Sequence, residues 1–262
     1  MKKSRSKKIV YVFVALFFAI VSCSKTESKS IVPDPETGTP SKPGQEDTFT
    51  PQTVGFSNKK LVKPTDIITD YVVYIPEGYN EKKDYKWPVV FFLHGIGERG
   101  KDISAVRQVG LSRVMKGKQF IMVAPLCNND WWNSAALEVL YKEVMDSLHV
   151  DKTKVYLTGL SMGGYGTWDW GSLHSEHFAA LVPICGAGTV SRMSRLQHTP
   201  VWVFHSADDP TVNVNESRTL VNELKRLGAD VQYTEYPDGG HDAWTRAYNT
   251  PELYTWLLKQ HK

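Results

Sequence analysis

The chain is poor in cysteine, in unbalanced charge and in long apolar runs. Three cysteines in 262 residues permit one disulfide at most, so no disulfide scaffold is possible. Lys and Arg number 31 and Asp and Glu 28, which leaves no strong field for nucleic acid. The longest apolar stretch, residues 9–21, is thirteen residues, too short for a comfortable membrane span. No internal repeat is visible, and no segment is large enough for a lid domain.

That short run has a different use. Lys2, Lys3, Arg5, Lys7 and Lys8 precede it, and Ile20-Val21-Ser22-Cys23 follows or ends it. A basic start, an apolar core and small residues at the exit make a secretory signal over residues 1–22. The exit resembles the lipobox of bacterial lipoproteins, which implies cleavage before Cys23 and acylation of its thiol. The expected location is the bacterial cell envelope, with a lipid anchor on the outer membrane or cell surface. Without residues 1–22 the chain keeps 26 basic against 28 acidic groups, a net charge of −2. The Ser, Thr, Pro, Lys and Glu that follow cannot bury enough apolar surface to offset ordering, so 23–52 reads as a flexible tether. The globular domain is expected over 53–262.

Within it, strands are expected over 70–76, 87–93, 120–124, 155–158, 179–184, 201–205 and 231–236. Residues 104–115 carry a weak helical period. Helices are expected over 134–148 with Ser134 as N-cap, 214–227 ending at Gly228, and 251–260 with Thr250 as N-cap and Pro251 first. The last strand alternates as an edge strand with one wet face does. Strands alternate with helices from residue 87, which predicts an α/β fold with a mostly parallel sheet and helices on both faces. Ligand sites in such sheets lie at the carboxyl ends of the strands.

One of those ends is Gly159-Leu160-Ser161-Met162-Gly163, between an apolar strand and a helix. This is the context of a nucleophile elbow, where flanking glycines leave room for a sharp, strained turn at the serine. A serine hydroxyl needs a base, and the base needs a third group to fix its tautomer. His241 follows a glycine pair at a later strand end and is the expected base. His149, His174, His177, His198 and His261 receive no role, and His94 is expected to pack under its loop. Asp208 and Asp209 share a third strand end, and residue type alone does not choose between them. The Met162 amide, at a helix start, and the Ile96 amide, between Gly95 and Gly97, are the expected oxyanion donors. No metal or cofactor is expected.

The segments His94-Gly95-Ile96-Gly97-Glu98-Arg99-Gly100, Gly159 to Trp168, Val182-Pro183-Ile184-Cys185-Gly186 and Gly239-Gly240-His241-Asp242-Ala243-Trp244 resemble α/β-hydrolases. The similarity is to polyhydroxybutyrate depolymerase-like esterases, to the acetyl xylan and feruloyl esterases of carbohydrate esterase family 1, and to related proteins labelled predicted peptidases. It implies the α/β-hydrolase fold and a serine carboxylesterase working through an acyl-enzyme. The family acid loop, His-Gly-x-x-Asp-x-x-Val-Pro, stands here as His205-Ser206-Ala207-Asp208-Asp209-Pro210-Thr211-Val212-Asn213. Its register selects Asp209, although Ser206 and Asn213 depart from the pattern. Cys127 and Cys185 then end strands about three spacings apart, or ~14 Å, too far for a disulfide.

Trp131 and Trp132 follow a strand end and are candidates to stack a sugar or phenolic acyl group. Glu98, Arg99 and Trp244 also fall near the site. An acyl or feruloyl ester of plant polysaccharide suits a tethered enzyme acting as a monomer at the cell surface. A serine peptidase with the same triad, and an inactive binding protein on this scaffold, remain as alternatives.

Overall fold

The computed structural model describes residues 49–100, 102–128 and 131–262. The expected signal, Cys23 and the tether up to residue 48 lie outside the described residues. Among the described residues no helix is long and apolar enough to cross a membrane. At the end of the expected tether, Phe49 and Gln52 are part-buried, while Thr50 and Pro51 are exposed. The Phe49 ring lies 5.4 Å from that of Tyr79, and Gln52 and Asn80 exchange two hydrogen bonds of 2.9 Å.

A strand apolar on both faces is stable only where both are covered. β3 (Trp87–Leu93), β4 (Ile121–Cys127) and the second half of β5 (Val150–Leu160) are such runs, and they lie at the middle of an eight-stranded sheet. The others are β1 (Gly55–Lys60), β2 (Ile68–Ile75), β6 (Ala180–Ile184), β7 (Val201–Ser206) and β8 (Val231–Tyr236). The order is β1-β2-β4-β3-β5-β6-β7-β8. β1 and β2 pair antiparallel, as do β2 and β4, while β3 to β8 run parallel.

Successive side chains alternate between two cores. Phe91, Val123 and Leu157 enter one, under α1 (Ser134–Ser147), α2 (Met162–Leu173) and α3 (Asn215–Arg226). Phe92, Met122 and Tyr156 enter the other, under α4 (Ala243–Tyr248), α5 (Pro251–Leu257) and two 3-10 helices, Ile103–Gln108 and Gly110–Val114. This is the α/β-hydrolase fold.

Several local expectations need correction. The helical period over 104–115 becomes the two 3-10 helices, separated by Val109; the second opens at Gly110, where φ is +51° and a Cβ would lie 2.6 Å from both Leu160 and Phe92. The N-cap of α1 is Asn133, whose side chain accepts from the Ala136 N–H. Ser134 instead bonds His174 through its hydroxyl. Thr250 does stand at the N-cap of α5 with Pro251 in the first turn, as expected, but its side chain makes no capping hydrogen bond. β8 is part-buried along its whole length rather than wet on one face. β1 and α4 were not expected, because one is polar and the other spans only six residues. Cys127 and Cys185 are buried, stand three strand positions apart, and are not joined by a disulfide.

Candidate active site

β5 ends at Leu160 and α2 begins at Met162, so the chain reverses through Ser161 alone. Its φ is 52°, a left-handed value that costs a non-glycine residue about 1–3 kcal/mol. The turn presses α2 against β3 and β5. A Cβ on Gly163 would meet Leu93 O at 1.9 Å, and one on Gly159 would meet Gly163 O at 2.3 Å. Both neighbours are backbone, so neither site accepts a side chain without moving a strand.

The Ser161 hydroxyl donates to His241 Nε2 at 2.8 Å, and His241 Nδ1–H donates to Asp209 Oδ2 at 2.7 Å. An ionised Asp209 keeps the ring proton on Nδ1 and leaves Nε2 to take the serine proton. The His241 loop turns at Gly239 and Gly240, with φ of +128° and +57°. Asp208 accepts from the Gly240 N–H at 2.8 Å and the Gly239 N–H at 3.3 Å. Of the two adjacent aspartates, 209 orients the imidazole and 208 shapes the loop that carries it.

Asp209 is wholly buried at its side chain. Its Oδ1 accepts from the Thr211 and Val212 amides at 2.8 and 3.0 Å. Burial opposes its ionisation, but the bonds from His241, Val212 and Thr211 outweigh burial and hold the carboxyl below its ordinary range. His205, for which the sequence suggested no part, stands behind it with Nε2 3.2 Å from Asp209 Oδ2. Its Nδ1 meets Ser217 Oγ at 2.8 Å, and burial lowers its pKa, which keeps the ring neutral. Its place at the head of the acid loop was the available signal. Ser206, the departure from the family pattern, is buried at the end of β7 and leaves Asp209 in reach.

After β3 the chain passes beside the nucleophile, and a Cβ on Gly95 would lie 3.6 Å from Ser161 Cβ. A 3-10 turn, Ile96–Glu98, opens there. The first helical bond of α2 runs from the Tyr165 N–H to Ser161 O. The Met162 and Ile96 amides each open a helical turn and have no upstream helical carbonyl, so both suit a developing anion. His94 supports this loop from below. Its Nδ1–H donates to Gly95 O at 2.6 Å and its Nε2 accepts from the Cys127 N–H at 3.0 Å. Burial, with a smaller push from the Arg99 charge, lowers its pKa to about 4. Glu98 folds back within 3.3 Å of the Gly95 Cβ position, and burial raises its carboxyl above its usual value.

The two tryptophans are separated in role. Trp132 is 5% exposed, donates its indole N–H to His94 O at 3.1 Å and packs on the His94 ring. It supports the loop and offers no open face for stacking. Trp131 is 45% exposed and meets Tyr165 edge-on at 5.6 Å. Both border a groove of about 390 Å³ with Tyr165, Asp169 and Gly188. Trp244 meets the His241 ring at 90° and 5.4 Å, and borders a second groove of about 330 Å³. A larger hollow, about 490 Å³, lies along β1 and β2 and touches no triad residue. Cys185, with φ of 39°, sets its thiol beneath His241, 3.5 Å from the His241 carbonyl. Burial pushes that thiol well above its ordinary pKa, so it is no rival nucleophile.

Residues 187–262 match the prolyl oligopeptidase family. A probable feruloyl esterase C of Aspergillus terreus is 25% identical over 166 residues, covering 59% of this chain and 60% of that protein. A solved thermostable esterase is 34% identical with a TM-score of 0.70, covering 79% of this chain and 63% of its own. The chain therefore spans less than two thirds of either relative. A ferulic acid esterase structure shares the fold at a TM-score of 0.60 and 18% identity, covering 79% of this chain and 100% of its own. The chain therefore has the α/β-hydrolase fold, with Ser161, His241 and Asp209 hydrogen-bonded in the order that a serine nucleophile, its base and an orienting acid require.

Proposed function

We propose that this chain hydrolyses carboxylic esters through an acyl-enzyme on Ser161. The observation that carries this reading is the unbroken relay from Ser161 through His241 to Asp209, with links of 2.8 and 2.7 Å. As Ser161 Oγ attacks the ester carbonyl, its proton passes to His241 Nε2. Asp209 stabilises the imidazolium, and the Met162 and Ile96 amides receive the oxyanion. Collapse expels the alcohol, which takes the proton from His241. Water then repeats the sequence and releases the acid. Loss of one oxyanion donor costs about 100–1000-fold in turnover.

The substrate class is an acyl or feruloyl ester of plant polysaccharide. The fungal feruloyl esterases among the relatives support it, as does Trp131, an exposed aromatic beside Tyr165 on the groove next to the α2 N-terminus. An aromatic acid or a sugar ring stacks on such a surface. A lipid anchor at Cys23 would hold the enzyme at the cell envelope, where a polymer is met first. A peptidase is the second reading, favoured by the match of residues 187–262 to prolyl oligopeptidases.

Ser161→Ala is expected to abolish nitrophenyl acetate hydrolysis and labelling by a fluorophosphonate. Residual turnover in a clean preparation would remove the assignment. Methyl ferulate, acetylated xylan and a peptide anilide compared by kcat/KM separate the readings, and a peptide preference rejects the esterase.

A further inference from the structure

Three side chains that the hydrolytic chemistry leaves unused meet where α1 packs on the far end of α2. Glu138 lies on α1, His174 follows α2, and His177 closes the 3-10 turn Ser175–His177. One donor atom from each lies within 4.8 Å of the others. His177 Nε2 is 2.9 Å from Glu138 Oε2, and His174 Nδ1 is 3.6 Å from Glu138 Oε1. A tetrahedral ion bound at ~2.0–2.1 Å holds its donor atoms about 3.3 Å apart, a value these two distances bracket.

The outer contacts are of the kind that ligands carry. His174 Nε2 meets Ser134 Oγ at 3.0 Å, which turns Nδ1 toward the cluster. The Trp170 indole N–H donates to Glu138 Oε1 at 2.6 Å. Tyr141 stacks on the His177 ring at 4.0 Å and fixes its plane. Such partners orient first ligands and select a tautomer. Glu176 Oε1 lies 3.6 Å from His174 Nδ1 and is a further oxygen donor within reach.

We propose that Glu138, His174 and His177 bind one divalent transition ion of the zinc class, with Glu176 or water completing the shell. Two imidazoles select such an ion over calcium or magnesium. The site stands one helix length from Ser161, roughly 18 Å at 1.5 Å per residue, so the ion is structural. It clamps α1 to the end of the helix whose first turn carries the nucleophile.

The test uses the full chain without an affinity tag, titrated with Zn²⁺ by calorimetry and with Co²⁺ by visible absorption. One ion per chain, a tetrahedral-type Co²⁺ band and no response to Mg²⁺ are expected. Zn²⁺ at 100 times Kd should raise Tm by roughly 5 °C or more. His174→Gln, His177→Gln and Glu138→Gln, each checked for folding by circular dichroism, should weaken binding by more than about tenfold. His241→Ala should bind undiminished. Loss of binding in that variant would move the ion to the triad and overturn the proposal. Full binding by a folded His174→Gln/His177→Gln double variant would overturn it too. Absence of binding in the parent chain would also overturn it and leave the Glu138–His177 contact as a plain hydrogen bond.

Discussion

Asp208 and Asp209 are the same residue type in adjacent positions and do different work. Only the second has a carboxylate oxygen at 2.7 Å from His241 Nδ1. Asp209→Asn should lower kcat on a nitrophenyl ester by about 10⁴-fold, because the amide favours the wrong imidazole tautomer. Asp208→Ala removes the acceptor for the Gly239 and Gly240 amides and should cost far less, about tenfold, the size of one mispositioned hydrogen bond. Equal losses in the two variants, measured at matched circular dichroism, would put the acid in the wrong place. Residue type left this choice open, since both side chains are carboxylates on one loop. The same limit applied to Trp131 and Trp132. Which indole faces solvent depends on where β4 delivers the chain, and no local pattern carries that information.

At the scale of elements, the strand, Ser161 and α2 form one steric unit. Gly163→Ala forces a Cβ toward Leu93 O in the neighbouring strand and should destabilise the fold by about 3 kcal/mol. Gly97→Ala, with nothing within 4 Å of its new methyl, should leave Tm nearly unchanged. Comparable drops in both, by thermal melts, would count against a packing origin. His94 is a second joint, tying the end of β3 to the Cys127 amide of β4. An unfolded histidine takes up its proton near pH 6.5, whereas this buried ring waits until about pH 4. Between those values the unfolded chain binds the extra proton, so stability falls as pH falls and the loss is complete below the folded value. The full effect is about 3 kcal/mol. His94→Gln keeps a donor and an acceptor without the titration, so its denaturation midpoint should fall less than the parent's between pH 6.5 and 4. Parallel curves would sink this account. Periodicity anticipated most of the strands and the long helices. It failed over 104–115, where Gly110 meets Leu160 and Phe92 and the chain tightens into 3-10 turns.

At the scale of the molecule, both cores, the sheet and the triad are complete among the described residues, all of which lie within 49–262. A chain lacking residues 1–48 should therefore keep its Tm and its kcat/KM on a soluble nitrophenyl ester. A lower Tm would mean that the leader or tether contributes to the fold. Removing Phe49 as well strips a ring from Tyr79 and His149 and should cost stability, though not the chemistry. The lipid anchor remains a proposal about where the domain works, testable by labelling Cys23 with an alkynyl fatty acid.

The amino-acid sequence by itself determined the elbow, the alternation of strands and helices, and the loops able to supply base and acid. Those signals are local: two glycines four residues apart, an apolar run, a turn at a strand end. The family register had already selected Asp209, and the 2.7 Å bond to His241 agrees with it; only the tertiary structure decided which tryptophan is open, and why His205 and Cys185 stand behind the relay. It also decided that Glu138, His174 and His177 converge. His241 is 32 positions from Asp209 and 80 from Ser161. Contacts at such separations arise from sheet order and packing, which no window of neighbouring residues contains.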